Sequence, residues 1–67
     1  MTRGECMRRL AERDYVLASI TESLVMREWR GHAVPLNGVA RCQEVHAPTL
    51  GAMYEALVEA VEGGESG

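Results

Sequence analysis

Two cysteines and two histidines are the residues best suited to chemistry in this chain. Cys42 and His46 lie one helical turn apart, and His32 precedes them, so three ligands could be drawn around a metal ion. Zinc sites usually take their ligands as closely spaced pairs, and no CxxC pair occurs here. We therefore interpret Cys42 as a small core residue and the histidines as polar surface residues. No metal and no other cofactor is expected.

Nucleophilic catalysis is the other chemistry these residues could support. Cys6 or Cys42 could be paired with a histidine as nucleophile and base. The sequence indicates no third orienting group, and a chain of 67 residues has little room for an enclosed pocket. The glycines at positions 31, 38 and 51 form no phosphate-binding loop. The chain is therefore predicted not to be an enzyme.

Length and composition predict one small cytoplasmic domain. A chain this short buries only roughly 60% of its unfolded surface, so a lone core is marginal without a staple or a partner. The two cysteines form no dense framework and are expected to be reduced, although a single bridge stays open. No apolar run approaches the roughly 20 residues that cross a bilayer, and the charged start differs from a secretory signal. No membrane partner is expected.

Charge is distributed unevenly along the chain. Residues 1–46 carry all seven arginines and six of the ten acidic residues. Residues 47–67 carry four glutamates and no basic side chain, and the whole chain has a net charge of −3. Nucleic acid would be repelled most strongly by the second segment.

The first half of the sequence predicts one long helix. Thr2 and Glu5 have the form of a capping box, in which Thr2 accepts from the backbone N–H of Glu5. No Gly or Pro occurs from Glu5 to Arg30, and Gly31 stands where a helix cap would be. Asp14 marks a place where the helix could break. Without a break it would run about 39 Å, longer than the roughly 28 Å diameter of a domain of this size.

Helical spacing places apolar residues on two faces of this long helix. The tighter stripe comprises Cys6, Leu10, Leu17, Ile20 and Leu24. The looser face comprises Met7, Ala11, Ala18, Val25 and Trp29, with Tyr15 and Met26 at its edge. One short partner helix cannot cover both faces, so a second copy of the chain is expected to close the looser one in a helical homodimer.

Residues 32–38 are predicted to be a linker. Pro35 prevents a helix from continuing through it, and Asn37 can cap the next helix. Asn37-Gly38 is also a hairpin signal, so residues 32–36 and 39–45 could instead be two strands. The helix is favoured over the hairpin because the apolar residues after Gly38 do not alternate cleanly and Pro35 would weaken the first strand.

The second half predicts an amphipathic helix that begins at Pro48 or Thr49. Gly63-Gly64 should end it, leaving one helical domain over residues 1–62 and a disordered tail over residues 63–67. Its apolar stripe comprises Leu50, Met53, Tyr54, Leu57 and Val61.

Residues 39–57 resemble the helix-turn-helix unit of small bacterial and phage regulators. The shared order is a small residue, a turn hydrophobe, a cap, and apolar residues at one-turn spacing. These are Ala40, Val45, Thr49, Leu50 and Met53. Glu44 departs from the Gly usual in the turn, and Gln43 from a common core Leu. The resemblance implies an all-α fold in which the long N-terminal helix precedes a helix-turn-helix-like pair.

A DNA-binding transcriptional regulator is the alternative function that this resemblance implies. The residues placed to meet DNA would be Arg41, His46, Gly51 and Ala52. The second helix offers no Arg, Lys, Asn or Gln on its outer face, whereas phosphate and base contacts need donors. Nucleic acid is therefore a disfavoured partner.

The favoured function is a small non-enzymatic regulator that binds another protein and uses the motif as a scaffold. Acidic residues near the end of the last helix are interpreted as one contact, suited to a partner with a basic surface. The end of the long helix is interpreted as another, because Trp and Arg are enriched at interface hot spots. The predicted contact residues are Met26, Arg27, Trp29, Arg30, Glu55, Glu59 and Glu62.

Overall fold

The protein has an α+β fold, with a three-stranded antiparallel sheet between two helices in the sequence. The computed structural model describes residues 1–38 and 40–63. Its elements are helix α1 (Arg3–Ala11), strands β1 (Tyr15–Ser23), β2 (Glu28–Pro35) and β3 (Gln43–Ala47), and helix α2 (Leu50–Gly63). The strands lie in the order β1-β2-β3. The prediction of an all-α fold is therefore wrong.

Helix α1 is short, so the predicted helix from Glu5 to Arg30 is also wrong. Its start is as predicted, because Thr2 Oγ1 accepts from the Glu5 N–H at 3.2 Å. The helix ends at Ala11, and Asp14 then adopts a left-handed conformation with φ 60°. The following segment is rich in aromatic and β-branched residues, which favour a strand over a helix.

Strands β1 and β2 form a long hairpin over much of the predicted helix and linker. Their pairing runs from Tyr15 opposite Pro35 to Ser23 opposite Glu28, with an irregularity between Leu17 and Ser19. The predicted linker is wrong for residues 32–35, which belong to β2. Pro35 is tolerated because it is the last residue of the strand.

Strand β3 replaces the first helix of the predicted helix-turn-helix. Residues 43–47 are extended and pair with β2, from Ala33 opposite Gln43 to Trp29 opposite Ala47. The helix-turn-helix interpretation is therefore wrong, although Val39, its first residue, lies outside the described part. The alternative of two strands was closer, but residues 36–42 join them instead of a two-residue Asn-Gly turn.

Helix α2 confirms the predicted amphipathic helix. Thr49 caps it, since its Oγ1 accepts from the Ala52 N–H at 3.1 Å. The helix continues to Gly63, and the rest of the predicted tail, residues 64–67, lies outside the described residues. Five residues of α2 are buried: Met53, Tyr54, Leu57, Val58 and Val61.

Both helices pack on one face of the sheet, and the core lies between them. The buried cluster joins Cys6 and Leu10 of α1, Tyr15 and Ala33 of the sheet, and the apolar side of α2. Gly31 lies beneath α2, where an added Cβ would overlap Met53 Sδ. The close approach of helix and sheet therefore depends on a glycine in β2.

The dimensions of the fold remove the original reason for a helical dimer. The molecule extends 34 × 20 × 20 Å with a radius of gyration of 11.3 Å, close to the roughly 11 Å expected from its length. The described residues contain no long helix with two apolar faces that a second copy could cover. Within residues 1–38 and 40–63, no helix has the length and apolar character needed to cross a membrane.

Candidate protein-binding surfaces

The turn between β1 and β2 presents consecutive apolar side chains to solvent. Leu24, Val25 and Met26 are 79%, 92% and 60% exposed. We call these three residues, together with Arg27, the hairpin tip. Single exposed apolar side chains are ordinary on protein surfaces, but here three consecutive residues of one turn are all exposed.

Local backbone contacts hold the hairpin tip in a defined turn. The Ser23 Oγ accepts from the Met26 N–H at 3.2 Å. Arg27 has φ 53°, in the left-handed region of backbone conformation. Residues other than Gly and Asn adopt this region at a cost in conformational energy. The turn therefore fixes the backbone while the side chains remain without contacts in the core.

The four residues predicted at the end of the long helix are separated by the sheet. Met26 and Arg27 belong to the hairpin tip. Trp29, the second residue of β2, is partly buried and packs against the core. Arg30 lies on the opposite face of β2, where its Nε donates to Glu28 Oε2 at 3.1 Å. Only Met26 and Arg27 are therefore presented together as a contact.

The three predicted glutamates of α2 do lie together, along a groove between α1 and α2. We call this surface the acidic groove. It has a volume of about 370 Å³ and is lined by Met1, Arg9, Glu55, Val58, Glu59, Glu62 and Gly63. Glu62 is held by Arg9, whose Nη2 and Nε donate to the two carboxylate oxygens at 2.9 and 3.3 Å.

The acidic groove retains negative charge after this ion pair is counted. Glu55 and Glu59 are exposed and form no salt bridge within the described part of the chain. Met1 adds apolar surface, whereas Val58 lines the groove but is only 3% exposed. The groove therefore combines two free carboxylates with the apolar side chain of Met1, which suits a cationic or amphipathic side chain.

The face of the sheet opposite the helices is open and polar. Arg30 and His32 of β2 lie opposite His46 and Glu44 of β3. Glu28 Oε2 approaches both Arg30 and His46, with His46 Nδ1 at 3.7 Å. Arg30 is thus paired with an acidic neighbour, which weakens this face as a nucleic-acid surface.

A row of Ser19, His32 and Glu44 crosses the three strands and lines a shallow depression of about 250 Å³. These are residue types found in hydrolase triads. No hydrogen bond joins the three side chains in the described part of the chain, and Ser19 and Glu44 are exposed. The described residues therefore show no hydrogen-bonded pair of nucleophile and base in this row.

The residues predicted to meet DNA do not form one reading surface. His46 lies on the open face of the sheet, whereas Gly51 and Ala52 lie in the first turn of α2 on the other face. Arg41 lies in the loop before β3, where its backbone oxygen accepts from the Tyr15 hydroxyl at 2.9 Å. The DNA contact implied by the resemblance therefore loses its geometric basis.

The two cysteines differ in environment and are both free. Cys6 is fully buried, its Sγ lies 3.8 Å from the Tyr54 carbonyl oxygen, and burial raises the pKa of its thiol. Cys42 is exposed in the loop before β3, so its predicted place in the core is wrong. Among the described residues no group of three potential metal ligands occurs.

No family model, no curated protein and no solved structure matches this chain. The functional interpretation therefore rests on the surfaces of the chain itself.

The exposure of Leu24 and Val25 was not predicted from the sequence, because helical spacing placed both residues on apolar faces of the predicted long helix. Their turn contains no Gly, Pro, Asn or Asp, so the usual sequence signal for a hairpin is absent.

Proposed function

We propose that this chain is a small non-enzymatic binding module that contacts another protein through its hairpin tip. The observation that carries the proposal is the exposure of Leu24, Val25 and Met26 in one ordered turn. A regulatory role through a helix-turn-helix scaffold has no support once residues 43–47 form a strand.

The apolar area of the tip is available for binding because folding does not use it. Fully burying a Val, Leu or Met side chain contributes roughly 1.5–3 kcal/mol, so the three together represent on the order of 5 kcal/mol. Association also costs several kcal/mol in lost freedom, so the tip alone supports weak binding. Additional polar contacts, such as one made by Arg27, would be needed for micromolar affinity.

Affinity capture from the cells that naturally express the chain tests this function. Tagged wild type is compared with the double variant Leu24→Ser/Val25→Ser, and captured proteins are identified by mass spectrometry. A purified partner is then titrated calorimetrically against both chains. Loss of the apolar tip should weaken binding at least about tenfold, since central apolar anchors dominate interface energy.

The matched control for this experiment is Leu36→Ser. Leu36 is 66% exposed but lies after β2, away from the hairpin tip. Its replacement should leave the affinity unchanged. Equal affinity of wild type and the tip variant for every purified partner would contradict the proposed function, as would capture of no partner by the wild type.

A further inference from the structure

The hairpin tip and the acidic groove are complementary in charge and in polarity. The tip ends in Arg27, which is exposed and forms no salt bridge within the described residues. The groove presents the carboxylates of Glu55 and Glu59 together with the apolar side chain of Met1. An apolar turn that carries one arginine therefore matches a groove that carries two free carboxylates.

The two surfaces of one molecule do not meet each other. Trp29, near the start of β2, lies opposite Ala47, the last residue of β3, just before α2 begins. The groove is built from the later turns of α2 and from α1. The exposure of Leu24 and Val25 shows directly that the tip of the same chain lies outside the groove.

We infer that the hairpin tip of one molecule docks in the acidic groove of a second copy of this chain. This inference rests on the proposed function in that the tip is the contact, and it names the partner. Arg27 lies against Glu55 and Glu59, while Leu24 to Met26 lie against the apolar side chain of Met1. The contact joins two different patches, so it closes as a reciprocal dimer with two such contacts, closes as a ring, or continues as an open chain.

Sedimentation equilibrium of the wild type and of two charge reversals tests this contact. The proteins are Arg27→Glu, which reverses the tip, and Glu59→Arg, which reverses the groove. Wild type should associate between about 5 and 200 micromolar. Each reversal should weaken association at least about tenfold, because like charges then face each other.

Sedimentation of an equimolar mixture of Arg27→Glu and Glu59→Arg is the decisive experiment. The reversed tip of the Arg27→Glu chain is complementary to the reversed groove of the Glu59→Arg chain, so the mixture should form a one-to-one complex that neither variant forms alone. The matched controls are Arg41→Glu and Glu12→Arg, which make the same charge changes at exposed positions elsewhere. Both controls should associate like the wild type. Circular dichroism confirms that all four variants are folded.

Three results of the sedimentation experiments would overturn the inference. They are a monomeric wild type over this concentration range, association that survives either reversal, and a mixture that forms no complex. Binding of a monomeric wild type to phosphatidylcholine vesicles through the tip would also overturn it, because the occupant would then be lipid. Each of these differs from failure of the proposed function, which is judged by whether Leu24→Ser/Val25→Ser loses a separately purified partner.

Discussion

Gly31 decides how closely α2 approaches the sheet. A Cβ at this position would overlap Met53 Sδ and come within 3.3 Å of Met53 Cγ and 3.4 Å of Leu57 Cδ2. Met53 and Leu57 are fully buried, so neither side chain has free space into which to move. The usual benefit of replacing Gly in a strand is therefore outweighed by overpacking.

We expect Gly31→Ala to lower the free energy of unfolding by about 1–3 kcal/mol. Gly51 is the matched control, since an added Cβ there meets no atom within 4 Å. Gly51→Ala should raise stability by about 0.5–1 kcal/mol, because Ala favours a helix over Gly. Urea denaturation of both variants measures the two effects. Equal stability of the two variants would show that the helix and sheet are not in close contact at Gly31.

Burial of Cys6 links stability to pH. Because burial raises the pKa of its thiol, the folded state keeps the proton at pH values where the unfolded chain releases it. The contribution of Cys6 is therefore fully present below the unfolded pKa of about 8.5 and is lost as pH rises toward the folded pKa.

We expect the free energy of unfolding of the wild type to fall by more than that of Cys6→Ala as the pH rises above about 8.5. Urea denaturation at several pH values measures this difference. Carrying both proteins through the same series removes the contributions of other titrating groups. Parallel pH profiles of the two proteins would contradict the buried position of Cys6.

At the scale of elements, helices were predictable where local capping and apolar spacing agree. Thr2 and Thr49 identified the starts of α1 and α2, and four of the five residues of the predicted α2 stripe are buried, Leu50 being partly buried. The strands were missed for two reasons. The segment from Tyr15 to Arg30 contains no Gly or Pro, and its apolar residues also satisfy a helical repeat.

The hairpin is decided by tertiary contacts that local spacing does not contain. Leu17 and Ile20 of β1 pack against the core formed with the two helices, while β2 pairs with strands on both sides. The residue types of the turn did not predict a hairpin, because the left-handed position is occupied by Arg27 and not by the usual Gly or Asn. The acidic side of α2 was predictable as an exposed surface. The groove was not predictable, because its other wall is formed by Met1 and by Arg9 of α1, which are distant in the sequence.

At the scale of the whole molecule, a small core leaves a distinct apolar surface unused. The buried cluster joins both helices to one face of the sheet, whereas Leu24 to Met26 project beyond it. A chain of 67 residues has few apolar residues to place in a core, and three consecutive ones at the hairpin tip contribute nothing to it. Contact with a second molecule would give these residues a role.

The most direct test of this account is the free energy of unfolding of Leu24→Ser/Val25→Ser, measured by urea denaturation at low protein concentration, where association does not contribute. We predict a value within about 0.5 kcal/mol of the wild type, as for other surface changes. Leu57→Ala, which truncates a fully buried residue, should cost about 2–5 kcal/mol under the same conditions. A loss of about 2 kcal/mol or more in the tip variant would contradict the account, because it would place the tip in the core.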